Sequence, residues 1–100
     1  MAKLILEKHQ KDKDRVEVAI MLRYGIGKET FKTKLRDDLS TRIRFLAYFL
    51  LKNHYRIDYE TIGQMYQKHR TTIMNGVKRL DALTTLRNEA GELSKTLPKS

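Results

Sequence analysis

The sequence has no cysteine, which removes disulfide staples, thiolate metal ligands and cysteine nucleophiles together and fits an intracellular address. Its sole proline, Pro98, stands close to the end. Long apolar runs are missing as well: the longest, 45–51, falls well short of the roughly 20 residues that cross a bilayer. Leu4, Ile5 and Leu6 form too short a stretch for the apolar centre of a secretory signal. Internal repeats, low-complexity tracts and the alternating apolar runs that build strands are lacking too. The expectation is a soluble, cytoplasmic, all-α chain with no membrane span.

Negative charge is scarce. Twelve acidic residues stand against 21 Lys and Arg, a formal net charge of +9 on 100 residues. Such an excess implies a polyanionic partner or a strongly solvating surface, with nucleic acid the first candidate and an anionic membrane the second. Catalytic groupings are also wanting. His9, His54 and His69 are scattered and have no thiolate to complete a metal site, so no metal is expected. Ser40, His54 and Asp58 would lie on one helix and its boundary, which gives no concave pocket with an oxyanion hole. There is no glycine-rich phosphate loop. The chain is therefore expected to be no enzyme and to use no cofactor.

What the sequence does contain is helical periodicity. Apolar residues make up 40%, enough for one hydrophobic core, and 100 residues are too few for two. Residues 1–12 read as an N-terminal tail or frayed helix end, because Lys, Glu, Gln and Asp surround a short apolar patch. Val16, Ala19, Ile20 and Tyr24 recur at i, i+3, i+4 and i+8, so a first helix is predicted over 13–24, stopped by Gly25-Ile26-Gly27. The basic, polar stretch 28–39 reads as a loop with room for one helical turn, anchored by Phe31, Leu35 and Leu39. Asp38, Ser40 and Thr41 are N-cap candidates for the next helix. There Ile43, Leu46, Ala47, Leu50 and His54 keep the 3.6-residue period, and Phe45, Phe49 and Leu51 widen the stripe. This segment is expected to be the longest helix and the scaffold. After Leu86 the sequence turns polar around Gly91, which predicts a C-terminal tail over 87–100 and leaves a helical domain over 13–86.

Two short helices in tandem lie between scaffold and tail. Asp58 offers an N-cap for a helix carrying Tyr59, Ile62, Met65 and Tyr66; residues 67–70 break the pattern, and Ile73, Val77, Leu80 and Leu83 resume it from Thr71. A supporting helix, a tight turn and a second helix are the parts of a helix-turn-helix, here over 59–83, whose second helix enters a major groove about 12 Å wide. Gly63 costs the supporting helix about 1 kcal/mol relative to alanine, so it is expected to serve a close crossing of the two helices. Lys68, His69, Arg70, Thr71 and Thr72 gather cations, hydrogen-bond donors and free backbone N–H groups at the opening of the second helix, a combination suited to phosphates and base edges. Arg70 can bond guanine bidentately, Thr72 can set its methyl against that of thymine, and Thr71 is first of all an N-cap candidate. Asn75 and Arg79 continue the outward face together with Lys78.

The run Arg44-Phe45-Leu46-Ala47-Tyr48-Phe49-Leu50, then Lys52, then Ile62-Gly63-Gln64-Met65-Tyr66, then Thr71-Thr72-Ile73 resembles the signature of the C-terminal DNA-binding domain of the bacterial replication initiator DnaA. Residues 44–63 match it without a gap, and the likeness covers about residues 15–86. It implies a small helical bundle of Trp-repressor-like fold, double-stranded DNA as partner, and a bacterium, or a phage or mobile element within one, as setting. By position it also implies that Arg44 and Lys52 touch phosphate or groove and that Arg36, in the basic loop, enters the minor groove; Arg42 joins them by proximity.

The turn departs from the family pattern. Gln67-Lys68-His69-Arg70 is one residue shorter, lacks a glycine pair, and puts Arg70 in the place of a histidine, His69 in that of an aspartate and Lys68 in that of an arginine. The target sequence is thus expected to differ from the family's. A stand-alone, sequence-specific DNA-binding domain in replication control or transcriptional regulation is the leading expectation. Its rivals are a protein-interaction module of a replication or transcription complex and a sequence-independent nucleic-acid binder. Monomer and dimer are both compatible with the sequence.

Overall fold

The protein, described by a computed structural model over residues 2–31 and 38–98, with side chains from His9 onward in the first helix, opens with α1 (Ala2–Tyr24). This helix starts well before the residues that carry apolar spacing. Instead of a tail or frayed helix end over 1–12 followed by a helix from Lys13, one continuous helix begins at Ala2. The cause lies in its polar side chains. Gln10 donates to Asp14 at 3.1 Å, Lys13 pairs with Glu17 at 3.5 Å and Arg15 with Asp12 at 3.8 Å, all three or four residues apart. Pairs at that spacing stabilise a helix by a few tenths of a kcal/mol each, and Lys, Glu and Gln are themselves good helix formers. Val16 and Ile20, fully buried, carry the predicted apolar face.

A short 3-10 turn (Lys28–Phe31) follows and buries Phe31, as the expected single turn within the loop. Next comes α2 (Asp38–Asn53), which is the scaffold but not the longest helix: it has 16 residues against 23 in α1. It touches every other element of the fold. Ile43, Leu46, Ala47, Tyr48, Leu50 and Leu51 are all buried, a stripe too wide for one neighbour and suited to a helix packed on several sides.

The tandem helices are α3 (Tyr59–Tyr66) and α4 (Arg70–Ala82). Beyond them, the stretch expected as a tail forms α5 (Thr84–Thr96). Leu86, Ala90, Leu93 and Leu97 are buried at i, i+4, i+7 and i+11, a helical period thinned by the polar residues and Gly91 between them. Helix α5 is tied down at its middle and at its C-terminal end. Arg23 donates to Glu92 at 2.7 Å, and the Tyr24 hydroxyl donates to Glu89. Burial and that hydrogen bond push the Tyr24 phenol up to about 12, so the donor keeps its proton at any ordinary pH. At the C-terminal end His54 Nε2 donates to the Pro98 carbonyl at 3.1 Å while its Nδ1 meets the Ser94 hydroxyl at 2.9 Å; the Tyr55 hydroxyl also donates to Pro98 at 3.1 Å. Among the described residues there is no strand, and no helix is long and apolar enough to cross a membrane.

Candidate nucleic-acid interface

Helix α3 begins at Asp58, whose Oδ1 accepts the Thr61 N–H at 2.7 Å. That hydrogen bond holds the Asp58 carboxyl below its ordinary 3.8, so the charge is committed to the cap. The helix ends at Tyr66 because Gln67 turns left-handed, with φ of 56°. Gln67 N–H donates to the Gln64 carbonyl at 3.4 Å and Lys68 N–H to the Gly63 carbonyl at 2.8 Å. These are the two hydrogen bonds of a Schellman turn. A non-glycine residue bears the left-handed conformation here, at a cost of about 1–2 kcal/mol, where the family pattern has its glycine pair.

Gly63 is the residue that lets this turn close. A Cβ at position 63 would lie 2.5 Å from the Lys68 carbonyl oxygen and 3.4 Å from the Arg70 nitrogen. The close approach expected from the sequence is therefore real, and it is made by the backbone of the turn and the first residue of α4.

The cap of α4 is His69, not Thr71. His69 has extended φ and ψ of −69° and 146°, and its Nδ1 accepts the Thr71 N–H at 3.1 Å. The short turn explains the difference: with helix already formed at Arg70, Thr71 is the second helical residue and cannot stand at the boundary. The hydroxyls of Thr71 and Thr72, both exposed, consequently make no hydrogen bond among the described residues. Nδ1 of His69 must be unprotonated to accept, which leaves Nε2–H as the donor of this exposed ring.

Ile73, Gly76, Val77 and Leu80 bury the inner stripe of α4. Gly76 sits hard against α2: a Cβ there would be 2.7 Å from the Phe45 ring and 3.2 Å from that of Tyr48. Thr71, Asn75 and Lys78 therefore stand one above another on the opposite, exposed stripe, with Thr72 and Arg79 on one flank and Arg70 on the other. Lys78 lies on this stripe because its spacing from Thr71 and Asn75 follows the same helical period as the core. The first turn of α4 holds no acidic residue, so the positive end of its dipole is uncompensated. By contrast α3 opens with Asp58 and Glu60.

A cleft of about 390 Å³ between the two helix openings is lined by Asp58, Tyr59, Glu60, Arg70, Thr71 and Met74. Lys52 reaches its edge from α2, the ammonium 4.7 Å from the centroid of the Tyr59 ring. Lys52, Lys68, His69, Arg70, Thr71, Thr72, Asn75 and Arg79 are thus gathered around the opening and outer face of α4. Arg44, half-buried, donates to Thr41 Oγ1 at 3.4 Å, one turn back on α2. Arg42 stands apart: it lines a separate cleft of about 330 Å³ with Tyr24, Leu39, Leu83 and Glu89, roughly 20 Å along α4 from Arg70. Arg36 lies outside the described residues.

Residues 14–80 match the family model of the bacterial dnaA protein helix-turn-helix. The chain belongs to that family. No curated protein and no solved structure matches it. The DnaA-type match runs from Asp14 in α1 to Leu80 in α4 and takes in the whole tandem, while α5 lies beyond it. A DnaA-type helix-turn-helix is a DNA-binding rather than a catalytic domain, and among the described residues there is no cluster of metal-ligating side chains.

Proposed function

We propose that this DnaA-type domain recognises a particular double-stranded DNA sequence, with the first turn of α4 in the major groove and Arg36 in the adjacent minor groove, in replication control or transcriptional regulation. The observation that carries this reading is the cap. Because an imidazole, and not a threonine, closes the helix opening, the hydroxyls of Thr71 and Thr72 are left for base edges. Arg70 is the candidate for a bidentate bond to guanine and Asn75 for one to adenine. Lys52, Lys68, Lys78 and Arg79 serve phosphates, with Arg44 behind them on α2; His69 Nε2–H adds a neutral donor.

Asn75 and the two threonines favour base reading over a purely electrostatic binder, which needs only cations. A single module of this size buries roughly 600–1,000 Å² on DNA, so affinity as a monomer is expected to be modest. NMR amide shifts on adding duplex test the docking face. Changes are expected across 68–79 and near Lys52; changes confined to 1–25 would contradict the docking and favour a protein-interaction role for the tandem.

A further inference from the structure

Among the described residues Glu17 is the only polar side chain that is fully buried, at 1% exposure. Its Oε2 accepts a hydrogen bond from the Tyr66 hydroxyl at 2.8 Å and lies 3.5 Å from the Lys13 ammonium. Its Oε1, also buried, has no hydrogen-bond partner among the described residues. Removing a carboxylate from water costs several kcal/mol, and replacing such a group by an apolar side chain of similar size is often neutral or stabilising. Core stability alone gives no reason for a carboxylate at this point on α1.

Tyr66 supplies one. It is the last residue of α3, and the next residue turns left-handed into the Schellman turn. Its ring meets Tyr48 of α2 edge-on, centroids 5.3 Å apart, and Tyr48 and Phe45 form the surface against which Gly76 of α4 is pressed. The Lys13 ammonium lies 5.1 Å from the centroid of the same ring. Burial, then the neighbouring Glu17 carboxylate, push the Tyr66 phenol well above its ordinary range, so its proton stays on oxygen and is donated to Glu17. The hydroxyl is thereby held by α1, the ring by the surface that seats α4, and the backbone runs straight into the turn.

We propose that Glu17 is a positioning residue for DNA reading: through the Tyr66 hydroxyl it fixes the pose of the turn and of the first turn of α4, and so sets base discrimination rather than affinity. This rests on the sequence-specific reading proposed above. The two quantities separate because their physics differs. Attraction between a lysine and a phosphate changes slowly with distance, whereas a hydrogen bond to a base edge is made only near 2.7–3.2 Å and weakens steeply with angle. A displacement of about 1 Å at the opening of α4 therefore erodes sequence preference and leaves phosphate attraction nearly intact.

The test uses the 100-residue chain and two duplexes, one enriched from a randomised pool by the unaltered protein and one random, at the same salt. Anisotropy titrations give both Kd values, and circular dichroism checks that each variant is folded at the working temperature. Tyr66→Phe is expected to lower the preference for the enriched duplex by about five- to tenfold, with the random-duplex Kd within about twofold of the unaltered chain. Glu17→Gln, whose amide carbonyl still accepts from Tyr66, is expected to keep the preference. Should Tyr66→Phe unfold, Glu17→Leu removes the acceptor while filling the space, and the same fall is expected. An unchanged preference in the acceptor-less or donor-less variant, or an equal weakening on both duplexes, overturns the positioning role. An unaltered protein with no preference at all would instead remove base reading itself, and the positioning role with it.

Discussion

At the residue scale the opening of α4 turns on one imidazole. The amide of Thr71 has no helical partner, and His69 Nδ1 supplies one at 3.1 Å. His69→Ala is expected to cost about 1 kcal/mol of folding stability, seen as a lower urea midpoint at pH 7, and His69→Ser, an effective cap, to recover most of it. A midpoint unchanged in His69→Ala would show that the imidazole contributes nothing as a cap. Gly63 shows the same economy of space: the 2.5 Å approach of a Cβ to the Lys68 carbonyl involves backbone, which cannot swing aside. Gly63 was legible in the sequence because an interior helical glycine is costly enough to need a reason. The His69 cap was not, since it depends on where a turn without glycine ends, and that is fixed by the left-handed Gln67.

At the element scale the two helices of the tandem open in opposite electrostatic fashion. Asp58 caps α3 with a carboxylate held below its ordinary value of 3.8 by Thr61, so its contribution is complete above about pH 4 and is lost as the pH falls through the lower folded value. Asp58→Ala is expected to cost about 1 kcal/mol at pH 7 and clearly less near pH 2.5, measured by urea unfolding at both. A gap that stays constant with pH would show the cap to be uncharged. Apolar spacing made α2, α3 and α4 readable in advance, because each buries a regular stripe. It missed the first half of α1, where polar pairs such as Gln10 with Asp14 and Asp12 with Arg15 support the helix, and it missed α5, where Leu86, Ala90, Leu93 and Leu97 are spread over twelve positions among polar ones. Arg42 shows a further limit: sequence proximity to Arg44 did not place the two on one surface, since positions two apart on a helix point in different directions.

At the scale of the whole molecule α5 is part of the fold even though the DnaA-type match ends at Leu80. Leu86, Leu93 and Leu97 at roughly 2 kcal/mol of burial each amount to about 6 kcal/mol, within the range of the entire stability of a small domain. A chain ended after Ala82 is accordingly expected to lose its cooperative thermal transition by circular dichroism. Retention of that transition would reduce α5 to an accessory. The net charge of +9 adds a long-range attraction for any duplex, so raw affinity cannot distinguish reading from simple neutralisation.

Selection from a randomised duplex pool at near-physiological salt, run in parallel with the unaltered chain and with Arg70→Ala, separates the two most directly. An enriched motif is predicted, together with relaxation at one of its positions in Arg70→Ala and retention of the rest. The absence of any motif would contradict sequence-specific reading by α4, and a uniform weakening by Arg70→Ala with the motif intact would make Arg70 a phosphate contact instead.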